Sequence, residues 1–178
     1  MPERLETDLI QAAASGDIES YGELCESYYS AMVAISYSII GDHQLAEDAA
    51  QETFARALVN LKKLKNNKRF GPWLAAICRN VAKDMLAEKS RQISNDDLQK
   101  AFQDKTVNEN NRIIQRAIEQ LPVSMKELVV LRYYDGLSYE QIGSVLGISK
   151  ASINGRLTRA KRKMANYLKK MDLSENQL

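Results

Sequence analysis

Glycine and proline are scarce in this chain of 178 residues, eight and three respectively. That scarcity excludes collagen-like and low-complexity classes and argues against an all-β sandwich, whose tight turns need both residues. Cysteine is almost as rare. Cys25 and Cys78 lie far apart and form no CxxC pair, so a disulfide framework and a zinc site both lack support, and each is expected as a small core residue. The single histidine, His43, stands beside Gly41 and reads as a solvated or capping residue rather than a base or metal ligand. No nucleophile elbow, Walker A loop or dinucleotide fingerprint occurs, so no enzyme activity, catalytic residue, metal or cofactor is expected. Apolar runs such as Ala31 to Ile35 fall far short of the roughly 18 residues of a membrane span. Met1-Pro2-Glu3-Arg4 lacks the basic and apolar segments of a secretory signal. The expectation is a cytoplasmic chain without membrane insertion.

What is present is ordinary in amount and uneven in placement. Hydrophobic residues make up 44% and charged residues 27%, and the net charge is only +2. From Met1 to Leu58, two basic residues face eleven acidic ones; from Val59 to Arg91, nine basic residues face two acidic. Between Ser149 and Met171 stand eight basic residues and no acid. One acidic and two basic surfaces suggest a polyanion gripped at two points and a different partner at a third.

Apolar residues recur at helical spacing almost throughout, and sustained period-2 alternation is absent. The spacing predicts helices over Leu5 to Ser15, Ile18 to Ile40 and Asp42 to about Leu64, with Asp42 as N-cap. A polar loop then leads to a fourth helix, Pro72 to about Lys89, where proline suits the first turn. From Ser90 to Asn111 the periodicity dissolves into polar residues, which reads as a linker. Beyond it, helices are expected over Ile113 to Leu121, Val123 to Tyr134, Ser138 to Leu146 and Ser149 to about Met171. The fold class is all-α, in two small helical domains.

The most specific local pattern runs from Leu137 to Ser149. Ser138 and Gln141 have capping-box spacing, Gly147 can take the positive φ that ends a helix, and Ser149 can cap the next. Ile142, Val145, Leu146, Ile148, Ile153 and Leu157 supply a small core, and Gly143 permits close helix approach. This is helix-turn-helix design; an ordinary αα-hairpin shares the turn. The second helix separates them. It presents Ala151, Ser152, Asn154, Gly155, Thr158, Arg159 and Arg162 outward, short side chains followed by cations, as entry into a DNA major groove requires. The other basic block, Lys65, Asn66, Asn67, Lys68, Arg69, Phe70 and Trp73, mixes cations, amides and aromatics in a way suited to single-stranded DNA, with core packing as the rival role for both aromatics. Adjacent acids such as Glu47 and Asp48 face different directions on a helix, so they read as a solvated face or a docking surface, not a catalytic pair.

The chain resembles the extracytoplasmic-function sigma factors of bacterial RNA polymerase. The marks are Asp42 with Ala46 to Phe54, then Phe70-Gly71-Pro72-Trp73-Leu74 with Ile77-Cys78-Arg79-Asn80 and Asp84, then Leu121-Pro122, Leu137 to Ile142, and Arg156 to Ala160. The resemblance implies sigma domain two over residues 1–90, a flexible linker over 91–111 and a helix-turn-helix sigma domain four over 112–178. It implies that the chain binds core polymerase, recognises minus-35 and minus-10 promoter elements and assists melting. Polymerase-docking candidates by the same resemblance are Glu47, Asp48, Gln51, Glu52 and Phe54, set against the polymerase clamp helices. For the melted minus-10 element they are Lys65, Asn66, Asn67, Lys68, Arg69, Phe70, Trp73, Arg79, Asn80 and Lys83. For the duplex minus-35 element they are Lys150, Ser152, Asn154, Gly155, Arg156, Thr158, Arg159 and Arg162. Asn154, Gly155 and Thr158 depart from the larger polar, basic or aromatic residues usual in relatives, so a promoter sequence cannot be copied over. Nothing after Met171 resembles an extra C-terminal domain, which leaves regulation to a separate anti-sigma factor or to transcriptional control. A response-regulator type of transcription regulator would share the helix-turn-helix but give no use to Glu47 to Phe54 or Phe70 to Asn80. An enzyme or RNA-binding helical protein lacks a supporting constellation.

Overall fold

A computed structural model describes residues 5–92 and 109–175. Helix α1, Glu6–Ser15, buries Leu9, Ile10 and Ala13 and ends where Gly16 turns left-handed at φ 109°. Asp17 opens α2, Ile18–Ile40: its carboxylate accepts from the Glu19 amide at 3.2 Å and the Ser20 hydroxyl at 2.6 Å. The row Leu24, Tyr28, Ala31, Met32 and Ile35 is buried along α2. Asp42 caps α3, His43–Asn60, by accepting from the Leu45 amide at 3.2 Å. His43 is exposed and stacks on Tyr37, ring centroids 4.2 Å apart.

The inward face of α3 is built from Ala46, Ala49, Ala50 and Ala57 with Thr53 and Phe54, small side chains that let α2 and α4 approach closely. The third helix is shorter than its spacing predicts: it stops at Asn60 and gives way to a 3₁₀ turn, Leu61–Lys63. A second 3₁₀ turn, Asn67–Arg69, runs straight into α4, Phe70–Gln92, so α4 starts two residues before Pro72. Cys78 is fully buried on α4, donating to the Met32 carbonyl at 3.3 Å and lying 3.1 Å from the Ser36 hydroxyl. Cys25 departs from the core expectation, since it is only half-buried.

The second half comprises α5, Glu109–Glu119; α6, Val123–Val129; α7, Tyr139–Leu146; and α8, Lys150–Glu175. The helix predicted over Val123 to Tyr134 changes character at Val130, where a π-helical turn, Val130–Tyr134, widens the chain before Asp135-Gly136. Both halves contribute to one apolar core: Leu24, Met32, Leu74 and Ala75 are continuous with Leu128, Leu131, Ile142 and Ile153. Most of the predicted linker, residues 93–108, lies outside the described residues. No strand occurs among the described residues, and none of their helices is long and apolar enough to cross a membrane.

Candidate polymerase and nucleic-acid interfaces

The acidic face of α3 is the first candidate surface. Glu47, Asp48 and Gln51 are exposed and Glu52 is half-exposed, its carboxylate accepting from Arg56 at 2.6 Å one turn on. An open groove beside them is lined by Asp42, Gln44, Leu45, Asp48, Met85, Glu88 and Lys89. Phe54 does not share that surface. Its side chain is buried, because the period of α3 turns it inward with Ala50 and Ala57.

The second surface begins at the loop before α4. Asn66 uses its side chain on its own turn, accepting from the Lys68 amide at 3.1 Å. Asn67 donates to the Thr7 carbonyl at 3.3 Å, which ties the loop to α1. Lys65, Lys68 and Arg69 are exposed around these two amides. Phe70 is 1% exposed, with its ring edge-on to Tyr28 at 5.3 Å and tilted against Trp73 at 5.9 Å. It is therefore core in this arrangement and presents no face to a base; Trp73 is half-buried. Asn80 and Lys83 are exposed on α4. Arg79 is partly exposed and already paired: its Nε and Nη2 both donate to one oxygen of Glu127, at 3.0 and 2.8 Å.

The third surface is the helix-turn-helix. Ser138 and Gln141 form the reciprocal capping box, with bonds of 3.1 and 2.8 Å, Gly147 ends α7 at φ 68°, and Ser149 accepts from the Ser152 amide at 3.2 Å. A Cβ on Gly143 would stand 3.1 Å from the Ile148 carbonyl oxygen, which accounts for glycine there. Ile153, Leu157 and Ala160 turn inward, leaving Asn154, Thr158, Arg159 and Arg162 exposed. Gly155 faces open space and Ser152 and Arg156 are half-exposed, while Lys150 reaches Glu140 at 3.5 Å. The Arg159 guanidinium folds back to the Gly155 carbonyl at 3.1 Å, and Lys161 lies over the Tyr133 ring, 5.3 Å from its centroid. Cations line the far end of a helix whose start is small and polar, an arrangement able to enter a groove and hold its phosphates. Among the described residues no group of three or more His, Cys, Asp or Glu is placed to hold a metal ion.

Sequence reasoning missed Glu127. It lies on α6 with 7% of its side chain exposed, and burial pushes its carboxyl above the usual range although Arg79 and, more weakly, Arg156 oppose the shift. No spacing rule marks it, since its partner lies 48 residues earlier.

Residues 24–92 match the sigma-70 region 2 family and residues 111–164 the sigma-70 region 4 family. The chain is 32% identical over 168 residues to the probable RNA polymerase sigma factor RfaY of Xanthomonas campestris, covering 88% of this chain. It spans less than half of that relative, 42% of its length. With the ECF RNA polymerase sigma factor SigW of Bacillus subtilis it shares 27% identity over 179 residues, covering 90% of this chain and 95% of the relative. Among solved structures, CnrH in complex with the cytosolic domain of CnrY superposes with a TM-score of 0.61 at 23% identity, over 92% of this chain and 97% of that one, a likeness of fold. With both sigma regions matched in order and the helix-turn-helix inside the second, the chain belongs to the extracytoplasmic-function group of RNA polymerase sigma factors.

Proposed function

We propose that this chain binds core RNA polymerase through the acidic face of α3 and directs it to promoters read at two places, a melted minus-10 strand at α4 and a duplex minus-35 element at α8. The single observation that supports this most is the segregation of charge onto three surfaces of one fold. Glu47, Asp48, Gln51 and Glu52 form a hydrophilic docking face, which we assign to the polymerase. Lys65, Lys68, Arg69, Asn80 and Lys83 surround the minus-10 site, and Asn154, Thr158, Arg159 and Arg162 face the minus-35 groove. The chain works in the cytoplasm, as a non-catalytic subunit, and a separate protein domain of anti-sigma type is a further partner. Domain two occupies residues 1–90 and domain four 112–178.

The test is reconstitution. Core polymerase supplemented with the purified chain should start transcription at discrete sites on a promoter library, and core alone should not. Asp48→Lys with Glu52→Lys should abolish co-purification with core while helicity stays intact. Random initiation, or core binding indifferent to both charge reversals, would refute the reading.

A further inference from the structure

We propose that the corner between α6 and α7 is a phosphate-binding site, in which the Tyr133 hydroxyl and the Lys161 ammonium, with Arg132 beside them, hold one phosphate of the duplex backbone at the edge of the minus-35 groove. The assignment rests on α8 being the minus-35 reader.

Local geometry presents the phenol. The turn Val130–Tyr134 is π-helical, with the Asp135 amide donating to the Val130 carbonyl, five residues back, at 3.2 Å. Such a turn holds one residue more than an α-helical turn and shifts the side chains that follow around the axis, and it is frequent at functional sites. Leu131 stays fully buried, while Tyr133, two residues on, is 52% exposed. Nothing among the described residues accepts from the Tyr133 hydroxyl, so its O–H is left as a donor.

Charge in the same corner is left uncancelled. Lys161 Nζ lies over the Tyr133 ring, 5.3 Å from its centroid, and the phenol oxygen raises the pKa of the ammonium by accepting from it. Arg132 stands close enough to oppose that rise. Its Nη1 donates to the Leu137 carbonyl at 2.9 Å, and its guanidinium lies 5.5 Å from the centroid of the Tyr139 ring. Neither cation is within ion-pair distance of a carboxylate among the described residues. Rings and a carbonyl hold the two in place without neutralising them. Two neighbouring cations repel in the free chain, and a bound anion removes that repulsion.

Position selects the anion. Asn154, Thr158 and Lys161 follow one another at i, i+4 and i+7, and all three are exposed, so Lys161 continues one row of the groove-facing surface of α8. A helix lying in a major groove has the phosphate backbone along its flanks. An acidic protein segment would meet the charge equally well, but continuity with Asn154 and Thr158 places the corner against DNA. The phenol donates to a phosphate oxygen and Lys161 adds the charge; neither contact carries sequence information.

The experiment uses holoenzyme, core polymerase with the full chain, and a promoter duplex that the wild type selects from a library. Tyr133→Phe keeps the ring under Lys161 and removes the hydroxyl; Lys161→Gln removes the charge. Circular dichroism and co-purification with core check folding and assembly. Tyr133→Phe should weaken promoter binding about fivefold, the worth of one hydrogen bond, with the salt slope unchanged because the phenol is neutral. Lys161→Gln should reduce the slope by about one unit. Base preference in the minus-35 element should stay the same for both. Neutral methylphosphonate at one backbone position should abolish the effect of Lys161→Gln and diminish that of Tyr133→Phe. Wild-type affinity for Tyr133→Phe would overturn the proposal, as would a base-selective loss or effects that map to two different phosphates. Loss of core binding by either variant would overturn it in favour of an acidic polymerase segment. Failure of the minus-35 assignment is read separately, as unchanged minus-35 preference of holoenzyme carrying Asn154→Ala and Thr158→Ala.

Discussion

The Tyr21 hydroxyl donates a 2.6 Å hydrogen bond to the main-chain carbonyl of Phe54, joining the first turns of α2 to the inner face of α3 across 33 residues of sequence. Both groups are buried, so the pair is shielded from competing water, and burial raises the phenol well above its usual pKa. Tyr21→Phe keeps the ring and leaves the carbonyl with only its helical partner. The expected cost is about 1 kcal/mol, the usual worth of one buried neutral hydrogen bond. Thermal unfolding should show a lowered midpoint with polymerase binding unchanged. An unaltered midpoint would mean that the bond contributes nothing to holding α3 in place.

At the other end of α3, Asp42 does two things at once, capping the helix and accepting from Lys89 Nζ at 2.7 Å. The Lys89 bond, followed by the amide of Leu45, holds its carboxyl below the ordinary value of 3.8. A depressed folded pKa gives stability that is fully present above the unfolded value and is lost as pH falls through the folded one. Asp42→Asn keeps the cap, because asparagine caps as well as aspartate, and removes the charge pair. The pair is partly exposed and so partly screened by solvent, and the loss at neutral pH should be about 0.5 kcal/mol. The difference between the two proteins should begin to shrink as pH falls below about 4, near the unfolded value, and close once pH is below the depressed folded one, in denaturant melts followed across pH. A gap that persists in acid would point to the cap instead.

How much of this was legible beforehand depends on the range of the interaction. Ser138, Gln141, Gly147 and Ser149 act on neighbours three or four residues away, so their spacing alone announces the helix-turn-helix. Asp42 announces α3 for the same reason. Phe54 and Phe70 looked available to partners because their motif membership says nothing of which way the helix turns them, and both are buried. Arg79 looked like a simple DNA contact, yet its carboxylate partner is fixed only by how α6 meets α4. The close approach at Gly71 is equally invisible in a string, since the atom it makes room for belongs to Ser144.

The loop before α4 should set minus-10 preference. Asn67 is tied to α1 through the Thr7 carbonyl and Asn66 is used on the Lys68 amide, so the two amides hold the loop shape while Lys68 and Arg69 stay exposed. A base drawn out of the duplex needs such a rigid, cationic rim. Replacing Asn66, Asn67 and Lys68 with another residue set should alter preference at minus-10 positions and leave minus-35 preference untouched, scored by transcription from a promoter library. A uniform fall in output across all promoters would show that the loop does not read.

The start and the end of α8 should differ in what they read. Arg159 lies on the exposed face one turn beyond Gly155, and its bond to the Gly155 carbonyl must break before the guanidinium can reach a guanine edge. If it binds guanine in bidentate fashion, Arg159→Ala in holoenzyme should cost about 1 to 3 kcal/mol and relax specificity at one minus-35 position. Lys161, over the Tyr133 ring, and the exposed Lys163 lie further along the helix, where phosphates run. Removing either should weaken every promoter alike and reduce the salt slope by about one unit for each phosphate no longer neutralised. The measurement is salt-dependent holoenzyme affinity for a panel of single-base promoter variants. Identical base profiles for wild type and Arg159→Ala would take Arg159 out of the reading role, and a base-selective loss for Lys161→Ala would move that role further down the helix.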